Sequence, residues 1–345
     1  MKVLLVSPLP PPNGGMATWT EQYLKDSENI NEVYTVNTAF IGERALHKGG
    51  RIPLLPEAKR FFRIIMNYLS ILRKKQVDVI HICSACSTTG IIRDALCVAL
   101  SHKHHIVFHC HCNIQDQLKG KTAIRLGKYI FDSVDRILVL NQTSLSYVNK
   151  ISGRKADKIP NAVDGSIIQP QSSIAEELKN IVYVGHVKQE KGIREIIDAA
   201  REEKDVVFHL IGPVSDEISK IQAPDNVVFY GKKEHAEAIS LMRKADAFLF
   251  PSYTEGFSMV MLEAMASGLP IIATNVGSNA EMIETRGGII IDPMSSEEIV
   301  RAIEKIRPQK VRFEMSAWNL NKVACAYKDV VVFKKIQEVY NEIRV

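Results

Sequence analysis

The chain has 345 residues, 46% apolar and 24% charged, with 19 Gly, 14 Pro and 7% aromatics. That composition excludes a disordered chain, a collagen-like repeat and a small disulfide scaffold, and at about 100–200 residues per domain it predicts two globular domains. The formal charge of +5 is uneven: residues 1–165 carry 22 Lys/Arg against 13 Asp/Glu and residues 166–345 carry 22 against 26, so a basic half that could serve anionic lipid, nucleic acid or a phosphorylated substrate adjoins an acidic one.

Short Val- and Ile-rich runs predict strands at 2–7, 32–37, 77–82, 105–110 and 135–140, then at 180–185, 206–211, 226–230, 246–250, 270–274 and 288–291. Longer amphipathic stretches between them predict helices at 16–26, 56–75, 90–102, 120–132, 142–150, 191–203, 234–244, 258–267, 279–285 and 295–306. The apolar start reads as the first strand rather than a signal peptide, because its apolar core is short and runs into Leu9-Pro10-Pro11-Pro12. No run approaches the roughly 18 apolar residues of a membrane span. Continuous apolar strands alternating with helices signal parallel sheets covered on both faces, and the repetition predicts two doubly wound α/β domains rather than one sheet of eleven strands. The break falls at Ile159-Pro-Asn-Ala-Val-Asp164 and the polar segment 165–173. Expected boundaries are 1–165, 166–325 and a closing amphipathic helix within 326–345, with ligands in the interdomain cleft at the carboxyl ends of the strands.

Six cysteines, at 83, 86, 97, 110, 112 and 325, with no signal sequence predict reduced thiols in a cytosolic protein. Cys83-x-x-Cys86 and Cys110-x-Cys112, interleaved with His109 and His111, carry ligand types that suit zinc. Two buried parallel strands in which Cys packs as a small hydrophobe explain the same residues, and no metal is expected.

After the first strand, Gly14-Gly15 precedes a helix. Paired glycines admit close approach of a ligand, and a helix N-terminus offers free N–H groups to an anion; an unliganded strand–helix turn explains them equally. No dinucleotide fingerprint or P-loop is present. The densest motif is Phe250-Pro-Ser-Tyr-Thr-Glu255-Gly256-Phe257-Ser258-Met259-Val-Met-Leu-Glu263-Ala-Met-Ala-Ser-Gly268. It places Glu255 on a loop and Glu263 in the second turn of a helix whose first amides, at Gly256, Phe257, Ser258 and Met259, face an anion.

With these residues the chain resembles the retaining GT-B glycosyltransferases of family 4, the glycosyl transferases group 1, of the kind that build bacterial polysaccharide and glycolipid. Glu255 and Glu263 match the Glu-x7-Glu signature. The likeness extends through Pro-Pro-Asn-Gly-Gly near the start, Ile159 to Asp164, Val184-Gly185-His186 to Lys191-Gly192, and Ala273 to Glu281. The resemblance implies two Rossmann-like domains facing a cleft, an acceptor domain first and a nucleotide-sugar domain second, with the last helix closing back on the first. Glu263 would bind the nucleotide ribose, Glu255 the donor sugar and Lys191 the diphosphate, with Gly185, His186, Gly212 and Lys232 around phosphates and base and Gly14 and Gly15 opposite. A catalytic histidine after a first-domain strand falls on His111, favoured by motif position, or His109, which shares its strand face. His186 replaces the family's usual Arg, which is permanently charged and bidentate toward phosphate.

The implied activity is metal-independent hexosyl transfer from a nucleotide diphosphate sugar, taken as UDP-linked, to a hydroxyl of a glycan or lipid-linked acceptor in cell-surface polysaccharide, lipopolysaccharide or glycolipid synthesis. No cofactor beyond that co-substrate and no nucleic acid partner are expected. The cationic, apolar segment 59–75 suggests peripheral contact with an anionic membrane at the cytoplasmic face, or a core-packing helix with solvated charges. A non-catalytic sugar-nucleotide-binding subunit and a sugar-nucleotide epimerase are the alternatives.

Overall fold

The computed structural model describes residues 1–11, 14–39, 54–169 and 174–344. Pro12 and Asn13 of the Pro-Pro-Asn-Gly-Gly motif, and residues 170–173 of the expected linker, lie outside the described residues. The chain forms two units, Met1–Ala162 with Asp329–Val345, and Val163–Lys328. The breaks fall three residues before the expected 165/166 and three after the expected 325/326.

In the first unit the order is β1 (Lys2–Ser7), α1 (Gly15–Ser27), β2 (Glu32–Asn37), α2 (Leu54–Lys74), β3 (Val79–Ser84), α3 (Thr88–Ala99), β4 (His105–Cys110), α4 (Ile114–Gln117), α5 (Lys121–Ser133), β5 (Arg136–Val139), α6 (Gln142–Ser152) and β6 (Asp157–Lys158). All strands are parallel, in the order β2-β1-β3-β4-β5-β6. Alternation along each strand divides the core in two. Leu4, Val6, Ile80, Ile82, Phe108 and Val139 face one side with residues of α2, α3 and α5. Val3, Leu5, Val79, Cys83, Val107 and Leu138 face the other with Trp19 and Tyr23.

The second unit runs β7 (Asn180–Val184), α7 (Ile193–Glu202), β8 (Val207–Ile211), β9 (Val227–Gly231), α8 (His235–Met242), β10 (Ala247–Phe250), α9 (Met259–Ala266), β11 (Ile271–Thr274), α10 (Asn279–Ile283), β12 (Gly288–Ile291), α11 (Ser296–Ile306) and α12 (Gln309–Lys322). Its parallel sheet has the order β12-β11-β10-β7-β8-β9. The winding direction reverses between β7 and β10, and in open α/β sheets that switch point is where ligands bind. The first unit reverses between β1 and β3.

A π-helical turn, Val323–Tyr327, ends α12, and the last helix, α13, spans Asp329–Glu342 rather than starting at 326. Val332, Phe333, Ile336, Val339 and Tyr340 form a stripe one helix face wide. That stripe completes the core over Trp19 and Tyr23 of the first unit. Burying five such side chains contributes roughly 10 kcal/mol before entropy is counted.

Three elements give no signal in the sequence pattern. The strand β6 has two residues and the helix α4 has four, too few for either period to show. The helix α12 buries polar residues: Arg312 donates to the carbonyls of Ile306 at 3.0 Å and Ala175 at 2.6 Å, and Asn319 donates to those of Leu269 and Gly287, both at 2.8 Å. Its buried face is therefore not apolar, and the helical period is hidden.

Candidate functional site

Loops after β7, β10 and β11 meet at the switch point of the second unit. The loop after β7 carries Lys191 and Gly192. Gly192 has φ +73°, and a Cβ there would lie 2.2 Å from the Pro251 carbonyl oxygen, so only glycine lets this loop rest on the one after β10. Gly277, after β11, has φ +56°, and a Cβ would lie 2.4 Å from the Glu255 carbonyl. The Ser278 hydroxyl donates to the Gly256 carbonyl at 2.8 Å, and the Thr274 hydroxyl to that of Ser252 at 2.5 Å. The Glu255 loop is thus held on both sides by backbone contacts.

Within this frame the Lys191 ammonium contacts the Glu255 carboxylate, which also accepts from the Ser252 hydroxyl at 2.8 Å. The ammonium lies 5.7 Å from the centre of the Phe250 ring. Both charged side chains are mostly buried. Next along the chain, Gly256 is half-buried, and Ser258 caps α9 by accepting from the Met261 N–H at 3.2 Å. Phe257 is buried and packs edge-on against Tyr327, and Met259 opens the helix half-buried.

Glu263, two turns along the chain from Glu255, is buried and accepts from His235 Nε2 at 2.8 Å. That bond raises the His235 pKa. His235 stands at the start of α8, and reading the sequence missed it, because its partner lies 28 residues away and no spacing rule connects them.

The other expected donor-side residues are spread along the carboxyl edge of the sheet. Gly185 and Gly212 follow β7 and β8, joined by bonds from Gly185 N–H to Ile211 at 2.9 Å and from Gly212 N–H to Gly231 at 2.9 Å. The His186 ring is exposed while its carbonyl accepts from the Tyr183 hydroxyl at 2.9 Å. Lys232 is exposed after β9, the edge strand, two strands from β7.

In the first unit, Gly14 is the residue before α1, and a Cβ on it would meet nothing within 4 Å. No side chain caps this helix. His109 and His111 differ. His109, in β4, is fully buried, with Nδ1 3.3 Å from His81 Nε2. His111, just past the strand, is half-buried, its ring centre 4.0 Å from that of His109 and 4.7 Å from Trp19. Burial pushes His111 down to about 3, partly offset by the Asn161 side chain. Burial, reinforced by His111, pushes His81 down to about 3 as well. His109 is held well below the ordinary histidine range by the same burial and by its two imidazole neighbours.

The pleat splits the first expected cysteine pair and leaves the second, Cys110 and Cys112, together. Cys83 faces the histidines, whereas Cys86, Cys110 and Cys112 lie in the core on the other face of the sheet, and all are free thiols. Among the described residues one group, His81, Cys83 and His109, brings three ligand atoms within 4.8 Å of one another. Both nitrogens of His81 and one of His109 are already hydrogen-bonded.

Residues 165–314 match the family described as glycosyl transferases group 1, and residues 30–166 match glycosyltransferase family 4. An uncharacterized glycosyltransferase of Methanocaldococcus jannaschii is 28% identical over 331 residues, 90% of each chain. The capsular polysaccharide biosynthesis glycosyltransferase CapM of Staphylococcus aureus is 27% identical over 175 residues, 47% of this chain and 45% of that one. Among solved structures, sucrose-phosphate synthase of Thermosynechococcus elongatus superposes with a TM-score of 0.80 at 16% identity, over 99% of this chain and 98% of that one. HepE of Anabaena, solved with UDP, gives 0.76 at 17% identity, over 99% and 100%. Two parallel six-stranded sheets together with these likenesses give the GT-B fold. The chain belongs to the group 1 glycosyl transferases.

Proposed function

We propose that the chain is a retaining, metal-independent glycosyltransferase that moves a sugar from a nucleotide diphosphate sugar to a hydroxyl of a glycan or lipid-linked acceptor. The observation that carries this reading is the Lys191–Glu255 contact at the switch point, locked by Gly192 and Gly277. An ammonium beside the N-terminus of α9 suits the charge that grows as a diphosphate departs. A carboxylate in contact with it, and a second one in α9, suit the hydroxyls of a sugar and a ribose. HepE, solved with UDP and with UDP-glucose, supports a UDP-linked donor, and the relation to CapM supports a polysaccharide or glycolipid product.

In this reading Glu263 takes the ribose, Glu255 the donor sugar and Lys191 the diphosphate, while Gly185, His186, Gly212 and Lys232 border phosphates and base. Gly14 and Gly15 leave the start of α1 open to the diphosphate or the acceptor. His111 meets the reacting sugar. The departing diphosphate takes the proton of the attacking hydroxyl, so no protein nucleophile and no cofactor enter.

The protein works at the cytoplasmic face of a membrane, held by α2. One face of that helix carries Lys59, Phe62, Arg63, Met66 and Arg73, all exposed, while Ile64 and Tyr68 pack in the core. No helix among the described residues is long and apolar enough to cross a membrane.

A thermal-shift screen of UDP-, GDP- and ADP-sugars tests the donor, since a ligand of the folded state raises the melting temperature. We expect a UDP-sugar to stabilise, and its transfer product, formed in the presence of chelator, to keep the donor's anomeric configuration. Stabilisation by none of the three, or an inverted product, overturns the reading.

A further inference from the structure

We propose that the cavity at the switch point of the first unit is an oxyanion subsite, in which Arg60 and Arg93 hold a phosphate or carboxylate group carried by the acceptor. This rests on the reading of the chain as a glycosyltransferase whose acceptor sits on the first unit.

The first sheet reverses direction between β1 and β3, the place where open α/β sheets take ligands. A cavity of about 230 Å³ opens there, with Pro8 after β1, Thr38 after β2 and Ser87 after β3 in its wall. Arg60 of α2 and Arg93 of α3 line it as well. All five belong to the first unit, whereas Lys191, Glu255 and Glu263 of the donor reading belong to the second.

Arg93 is only 8% exposed. Its Nε and Nη2 donate to the Asp94 carboxylate at 2.8 and 2.6 Å, and Asp94, fully buried, also accepts from the Ser84 hydroxyl at 2.5 Å. One edge of the guanidinium is thereby anchored, while Nη1 has no hydrogen-bond partner among the described residues. A planar fork fixed on one edge presents its remaining donors in a constant direction. Arg60 is braced in a similar way, Nη1 donating to the Thr38 carbonyl at 2.8 Å and Nη2 to Glu57 at 3.1 Å. Thr38 itself is 5% exposed, and its hydroxyl has no partner among the described residues. Ser87 caps α3 by accepting from the Gly90 N–H at 3.3 Å, which leaves its own hydrogen to donate. A Cβ on Gly90 would lie 2.8 Å from Ser87 Oγ and 4.0 Å from Arg93 Nη2, so glycine keeps the space between hydroxyl and guanidinium open.

The wall selects an oxyanion because it offers donors. It presents two guanidinium groups and the hydroxyls of Thr38, Ser87 and Thr89, and among the described residues no carboxylate or amide side chain lines it. Asp94 and Glu57 hold the arginines from outside that wall. A sugar hydroxyl both donates and accepts, so a site shaped for sugar alone calls for acceptors too, whereas a phosphate or carboxylate accepts from every one of these groups.

Calorimetric titration of the full chain with inorganic phosphate, inorganic pyrophosphate, glucuronate and glucose, each with excess UDP to fill the donor site, tests this. We expect phosphate or pyrophosphate to bind and glucose not to. Affinity for the anion should fall about tenfold in Arg93→Lys, which keeps a charge beside Asp94 but loses the fork, and in Arg60→Gln. UDP affinity should stay within about twofold in both. Preference for glucuronate over phosphate would support an acidic sugar as the source of the anion. Binding of none of the anions, glucose bound as well as they are, or unchanged anion affinity in the folded variants overturns the proposal. An equal loss of UDP affinity overturns it too, by giving the arginines to the donor. Arg60→Gln serves if Arg93→Lys does not fold. The titration needs no turnover: failure of any UDP-sugar to react would sink the glycosyltransferase reading while the arginine variants still reported on the cavity.

Discussion

Lys191 and Glu255 are 64 residues apart in the chain, yet the ammonium of one touches the carboxylate of the other. The contact joins the loops after β7 and β10, the two strands between which the sheet reverses direction. Each residue neutralises the other in a mostly buried place, so a departing diphosphate would find a cation already positioned.

Replacing Lys191 with Ala removes that cation and leaves Glu255 in a mostly buried place without it. We expect kcat for transfer to fall about 100-fold or more, as when a preorganised charge is removed from a transition state. In Lys191→Ala/Glu255→Gln the losses will not add, because the two side chains share one interaction. Steady-state rates of Lys191→Ala, Glu255→Gln and the double variant check both points, and a near-normal Lys191→Ala rate refutes the assignment.

Glu263→Ala is expected to raise the donor KM about tenfold or more and to abolish the thermal shift given by the nucleotide diphosphate alone. His235→Ala removes only the group that orients Glu263 and should cost less, within about fivefold in KM, with kcat retained. Equal effects in the two variants would show His235 to be a direct ligand.

Three neighbouring imidazoles, His81 in β3, His109 in β4 and His111 just past it, make the fold sensitive to acid. Burial pushes His81 and His111 down to about 3, and His109 well below its ordinary value, while in the unfolded chain all three take protons near pH 6.5. The unfolded state therefore binds more protons between those limits. Stability is fully present above pH 6.5 and is lost as the pH falls from there toward 3. Urea midpoints at pH 7.5 and pH 5 measure this, and equal midpoints would contradict it.

Gly192→Ala forces a Cβ to within 2.2 Å of a backbone oxygen at φ +73°. We expect a loss of about 2 kcal/mol or more in the second unit, together with weaker donor binding, because the loop carrying Lys191 is displaced. Calorimetry and a donor titration read the two effects separately.

On α2, Phe62 is 66% exposed and Met66 45% exposed beside Lys59, Arg63 and Arg73. The double variant Phe62→Ser/Met66→Ser should fold normally and bind anionic vesicles about tenfold more weakly at low salt. Flotation measures the loss, and wild-type protein that fails to float sinks the membrane contact.

Most strands could be read from the chain, because parallel strands buried on both faces show as uninterrupted Val and Ile runs, as in Ile181–Val184 and Ile271–Ala273. Glu255, Glu263 and Lys191 were legible too, since their neighbours form a dense local motif. What escaped was non-local or polar. His81 looks like an ordinary strand residue until Tyr340 is placed against it, and His235 has no meaning without Glu263. The helix α12 hides because Arg312 and Asn319 satisfy loop carbonyls from inside the unit.

The second unit is one unbroken stretch of chain, whereas the first is assembled from both ends, with α13 closing the face that holds Trp19, Tyr23 and His81. During synthesis the ribosome makes β1 to β6 first, but their exposed face waits for Tyr340 until the whole second unit has emerged. The later-made unit can thus finish folding before the earlier one. A chain truncated after Lys328 should hold a protease-resistant second unit and a first unit that is still open to cleavage.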